Sequence, residues 1–91
     1  MEEIWIFNGN ENLFPSATFT TRTLAEHWIR KYSLSGTLTR YPVNISVYDW
    51  VIEKDYFKPK KEYQSSPRFI QSFSSAYMEH YHYNSGEQPD E

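Results

Sequence analysis

The chain has 91 residues, a net charge of −3 and no cysteine. This length fits one domain, and the absence of thiols excludes disulfides and thiolate metal sites, so a reducing cytoplasm is the natural setting. The acidic balance weighs against general nucleic-acid binding. No apolar run approaches the roughly 20 residues of a membrane span, and the opening Met1-Glu2-Glu3 is acidic where a signal peptide is basic.

In chain order, Glu3 to Phe7 reads as a first strand, with Ile4 and Ile6 on one face and Trp5 and Phe7 on the other. Asn8-Gly9 is a turn signal, and the polar stretch to Pro15 is a loop. A short strand, Ser16 to Thr20, follows and is expected to form a hairpin with the first. Thr20 or Thr21 can cap a helix over Arg22 to Tyr32, where Ala25, Trp28, Ile29 and Tyr32 recur at helical spacing. Ser35-Gly36 is expected to end it.

Thr37 to Tyr41 reads as a third strand closed by Pro42. Ser46-x-x-Asp49 is a capping box that starts a short helix running to Lys54. Asp55 then falls where a left-handed residue is expected. Residues 56–65 form a loop, and Ser66-Pro67 starts a helix to Phe73, with proline at its first position. Ser75 to Tyr83 alternates, with Tyr77, Glu79, Tyr81 and Tyr83 opposed to Met78, His80 and His82, and reads as a last strand. The expected fold is α+β, in the order β-β-α-β-α-α-β, a sheet of three or four strands carrying two or three helices. Residues 1–84 make the domain, and 85–91 read as a disordered acidic tail.

Three features carry candidate chemistry. His80-x-His82 projects two imidazoles from one strand face, near enough to share a metal, with His27 or Glu79 as a third ligand; Glu79 points to the opposite face. Lys58, Lys60 and Lys61, with Tyr56, Phe57, Tyr63 and Arg68 nearby, resemble a single-strand nucleic-acid contact, against which stands the plainer reading of a solvated loop. Aromatic residues make up 19% of the chain. At roughly 150–250 Å² buried per ring they exceed what so small an interior holds. Trp5, Phe7, Tyr77, Tyr81 and Tyr83 are therefore candidates for an exposed interface patch.

No catalytic constellation is present. Asp49 is better explained as a cap, no serine sits in a glycine-flanked elbow, and three glycines supply neither a phosphate loop nor another cofactor motif. The sequence thus favours a non-enzymatic protein-interaction domain, such as an immunity-type inhibitor of a toxin partner. A small-ligand or metal-binding protein or enzyme using His80 and His82 is the alternative, and nucleic-acid binding through Lys58 to Lys61 comes third. Exposed strand edges would also let two copies pair.

Several segments in order, Ile4 to Gly9, Ser35 to Thr39, Val47 to Trp50, Phe57 to Lys61, Ser65 to Ile70 and Glu79 to Tyr83, together resemble a family of small uncharacterised bacterial proteins classed as a domain of unknown function. The resemblance spans about residues 3–84. It implies a stand-alone bacterial cytosolic domain and supplies no activity, cofactor or site residue. In that family a glycine follows the second helix, where this chain has Asp55.

Overall fold

The computed structural model describes residues 2–89. Its elements are β1 (Glu3–Gly9), β2 (Ala17–Phe19), α1 (Arg22–Lys31), β3 (Gly36–Pro42), α2 (Val47–Glu53), a 3-10 turn (Glu62–Ser65), α3 (Pro67–Gln71) and β4 (His80–Tyr83). The strands form one antiparallel sheet in the order β2-β1-β3-β4. The fold is therefore α+β with the expected order of elements. Among the described residues no helix is long and apolar enough to cross a membrane.

Register decides which side chains share a face. Trp5 sits opposite Phe19 and Arg40, and Phe7 opposite Ala17 and Leu38. Leu38 pairs with Tyr81, and Gly36 with Tyr83. These residues alternate onto one side, and α1 covers it with Ala25 and Ile29, both fully buried beside Trp5, Phe7, Leu38 and Tyr83. Trp28 seals the margin, standing edge-on to Phe7 with centroids 5.5 Å apart and packing against Phe19 at 5.6 Å. The other face carries Ile4, Ile6, Thr37, Thr39, Tyr41, His80 and His82, none of them fully buried.

Helix ends follow the residues beside them. Thr21 caps α1 by accepting the Leu24 N–H, and Ser46 and Ser66 do the same for α2 and α3. The end of α1 differs from expectation. Ser33 takes the left-handed conformation (φ 54°), with the Ser33 and Leu34 N–H groups returning to Arg30 and Ile29. Gly36 lies instead inside β3, where a Cβ would collide with the Asn8 carbonyl oxygen and come within 2.7 Å of the Phe7 ring. Close approach of β1 and β3, rather than a helix stop, is what this glycine provides. Asp55 is left-handed as expected (φ 63°), and the Asp55 and Tyr56 N–H groups close α2 in the same way.

One expectation is corrected at the C-terminal end. Only His80–Tyr83 of the segment from Ser75 forms strand. The last bond of that ladder is from Arg40 N–H to the Glu79 carbonyl. Pro42 ends β3 with no N–H to offer, and the chain turns at Ala76-Tyr77. The segment read as a tail opens with a turn packed against α1. Asn84 bridges to Glu87, the Gly86 N–H donates to the Leu34 carbonyl, and Gly86 is buried against α1 with a φ of 87° that suits glycine. Residues 90 and 91 of that tail lie outside the described residues.

A polar seam ties β4 to α1. The Tyr83 hydroxyl donates to Glu26 Oε2 at 2.6 Å, Arg22 pairs with the same carboxylate at 3.2 Å, and the Arg22 guanidinium lies 3.5 Å from the Tyr81 ring centroid. Burial, with the bond to Glu26, pushes the Tyr83 phenol up to about 12. A raised folded-state value means that this contribution is complete below the unfolded value of about 10 and is lost as pH rises toward 12. Tyr83→Phe is expected to lower stability at pH 8 by about 1.5 kcal/mol, and to flatten the loss of stability between pH 10 and 12. Urea unfolding across that range checks both.

Candidate functional site

A cleft of about 410 Å³ opens where the end of the sheet meets the segment built from α2 and the turn before β4. The sheet contributes Glu3, Arg40 and Pro42, with Glu79 just before β4, and the other wall contributes Trp50, Lys54, Tyr56 and Tyr77, with Glu2 and Met78 completing the lining.

The aromatic wall is assembled by backbone turns. Left-handed Asp55 reverses the chain after α2, which brings Tyr56 back against Trp50 with ring centroids 5.7 Å apart. The turn at Ala76-Tyr77 then lays Tyr77 flat on Tyr56, with centroids 4.5 Å apart and an interplanar angle of 17°. Both tyrosines remain open to solvent, Tyr77 at 66% and Tyr56 at 46%. Behind them a second apolar cluster holds α2 and α3 in place. Tyr48 is buried there, its ring edge-on to Phe57, Phe69 and Phe73 and its hydroxyl donating to the Gln64 carbonyl at 2.8 Å.

The polar wall is an ordered ion cluster. Arg40 pairs with Glu3 and, at 2.8 Å, with Glu79, which also accepts a hydrogen bond from the Tyr81 hydroxyl. That phenol, with Arg40 in support, holds the Glu79 carboxyl below the ordinary glutamate range, and the same bond raises Tyr81. Three carboxylates and two cations line the cleft. Glu3, Glu79 and Arg40 are mutually engaged, whereas Glu2 and Lys54 have no ion pair among the described residues.

The residues singled out from sequence are dispersed. Trp5, Phe7 and Tyr83 are core, at 7%, 2% and 4% exposure, and Tyr81 is half-buried, because their shared face is the one α1 covers. Only Tyr77 of the five presents its ring to solvent. Trp50 and Tyr56 complete the wall instead, and the signal for them was the left-handed residue between α2 and Tyr56. His80 and His82 are brought together, with ring centroids 5.4 Å apart. Among the described residues no third histidine or carboxylate joins them. Lys58, Lys60 and Lys61 are exposed, and the Gln64 side chain clamps the backbone N–H groups of the last two. Of the rings near them, Phe57 packs inward, Tyr56 belongs to the cleft and Tyr63, itself exposed, stands edge-on to Phe69.

The family model described as Domain of unknown function (DUF7710) matches residues 4–89, and the chain belongs to that family. No curated protein and no solved structure matches it.

The ion cluster gives a direct titration test. Depressed Glu79 favours the folded state above the ordinary glutamate range, and that contribution fades as pH falls through its lowered value. In a carboxyl NMR titration Glu79 is expected to show a midpoint below those of exposed glutamates, and Tyr81→Phe is expected to move it upward. A midpoint unmoved by that substitution would remove the phenol from the cluster.

Proposed function

We propose that the chain is a non-enzymatic protein-interaction domain that receives a protein partner at the cleft walled by Trp50, Tyr56 and Tyr77. The observation that carries this reading is the Tyr56–Tyr77 stack, which leaves two large rings exposed at the mouth of a concave, charged site. Isolated exposed apolar residues are ordinary. Rings pre-positioned by stacking are different, because they enter a complex with little entropy left to lose and offer large amphipathic contact area.

The polar wall suits a partner as well. Arg40, Glu3 and Glu79 are fixed by one another, so they present a rigid pattern of charge rather than flexible side chains. Glu2 and Lys54 stand ready for the partner's own charges. One concrete form of the reading is an immunity-type inhibitor acting in the bacterial cytoplasm, where a small acidic protein neutralises a toxin. Small size, acidic balance and the lack of a catalytic constellation in the sequence support it.

A second apolar feature competes for the role. Leu13 and Phe14 stand out from the loop between β1 and β2, at 89% and 77% exposure. Affinity capture from the source organism, repeated with variants, separates the two surfaces. Trp50→Ala/Tyr77→Ala is expected to weaken capture of the partner by about 30-fold, the effect of losing one hot spot of about 2 kcal/mol. Phe14→Ala is expected to leave it unchanged. The opposite pattern would move the interface to the loop, and no reproducible partner for the wild type would count against the reading as a whole.

A further inference from the structure

The cleft leaves one pair of side chains unexplained. His80 and His82 lie on the sheet face away from α1, on β4, the edge strand. Both are exposed. Each imidazole makes its hydrogen bond through Nδ1: His80 to the Met78 carbonyl at 2.7 Å, and His82 to the Thr37 hydroxyl at 3.2 Å. A carbonyl oxygen only accepts, so the His80 proton sits on Nδ1 and its Nε2 keeps the lone pair. Metal-binding histidines are oriented in this way, with the far nitrogen held by a carbonyl or a comparable partner.

The spacing of the rings is informative. Two imidazoles that bind one ion through Nε2 at about 2.0–2.1 Å, at a tetrahedral angle, place their centroids about 5 Å apart. At the right angle of a square-planar site the separation falls to about 4.5 Å. The observed centroid separation of 5.4 Å lies nearer the tetrahedral value. A tetrahedral ion needs four donors, and among the described residues no third histidine or carboxylate stands near the pair.

The surroundings bear on where further donors would come from. The rows Ile6-Thr39-His80 and Thr37-His82, which cross the sheet on this face, carry no formal charge. In a chain of net charge −3, this is a face that a second copy can approach without like-charge repulsion. Its position on an edge strand leaves the flank of β4 open as well. A two-fold axis through the ion would bring the same two histidines from each chain.

We propose that His80 and His82 are half of a tetrahedral transition-metal site, zinc-like in its preference, completed by the same pair from a second copy of the chain. Metal then acts as a switch between monomer and dimer, independently of the aromatic cleft.

Sedimentation velocity of the full chain in metal-free buffer, then with half an equivalent of zinc chloride, tests this. The expected result is conversion of the 10.9 kDa species to one of twice the mass. Native mass spectrometry should find one zinc per two chains, with reversal by EDTA. His80→Ala/His82→Ala, confirmed as folded by circular dichroism, is expected to stay monomeric with zinc, while His27→Ala dimerises as the wild type does. Thr37→Val keeps both ligands but removes the partner of His82, and should weaken the zinc response by about 10-fold. A wild type indifferent to zinc, a monomeric one-to-one complex, a dimer that forms without metal, or a zinc dimer that survives in the double variant would each overturn the proposal.

Discussion

The structure depends on the burial of one sheet face under one helix. Phe7, Leu38 and Ile29 are almost entirely removed from solvent, and Trp5, Ala25 and Tyr83 complete the layer. Burying side chains of this size stabilises by about 1.5–3 kcal/mol each, which is more than any surface ion pair here can supply. The other elements are arranged around this layer. Gly36 lets β3 approach β1 closely enough for Leu38 to sit beside Phe7. Tyr83 reaches the layer from β4 and anchors its hydroxyl on Glu26 of α1, and the turn at Gly86 packs behind the same helix.

Because that layer is one-sided, the rest of the surface is divided into regions of distinct character. The covered face ends in the Arg40 ion cluster, and the α2–α3 segment, with its own core around Tyr48, meets it there to form the cleft. The opposite face keeps neutral residues and the paired imidazoles. The proposed protein contact and the proposed metal-bridged contact therefore use different surfaces, and one chain could make both at once.

Much of the fold was legible from the residues. Trp5 and Phe7 alternating with Ile4 and Ile6, the Ala25–Ile29 spacing, the caps at Ser46 and Ser66, and the left-handed Asp55 all follow from local rules that tertiary context did not override. The site was less legible. Alternation tells which side chains share a face, but it does not tell which face a helix will cover, so Trp5, Phe7 and Tyr83 read equally well as core or interface. Tyr77 and Tyr56 are 21 positions apart, and only the turns at Asp55 and Ala76 bring their rings together. The histidine pair was visible because strand periodicity alone sets it, whereas the roles of Met78 and Thr37 needed the coordinates.

The central claim is that the layer beneath α1, and not the open face of the same sheet, holds the fold together. Urea unfolding of two alanine variants on adjacent central strands tests it directly. Leu38→Ala, from the covered face, should lose about 3 kcal/mol, while Ile6→Ala, from the open face, should lose about 1 kcal/mol. Equal losses, or a larger one at Ile6, would show that the open face is part of the core and contradict the account.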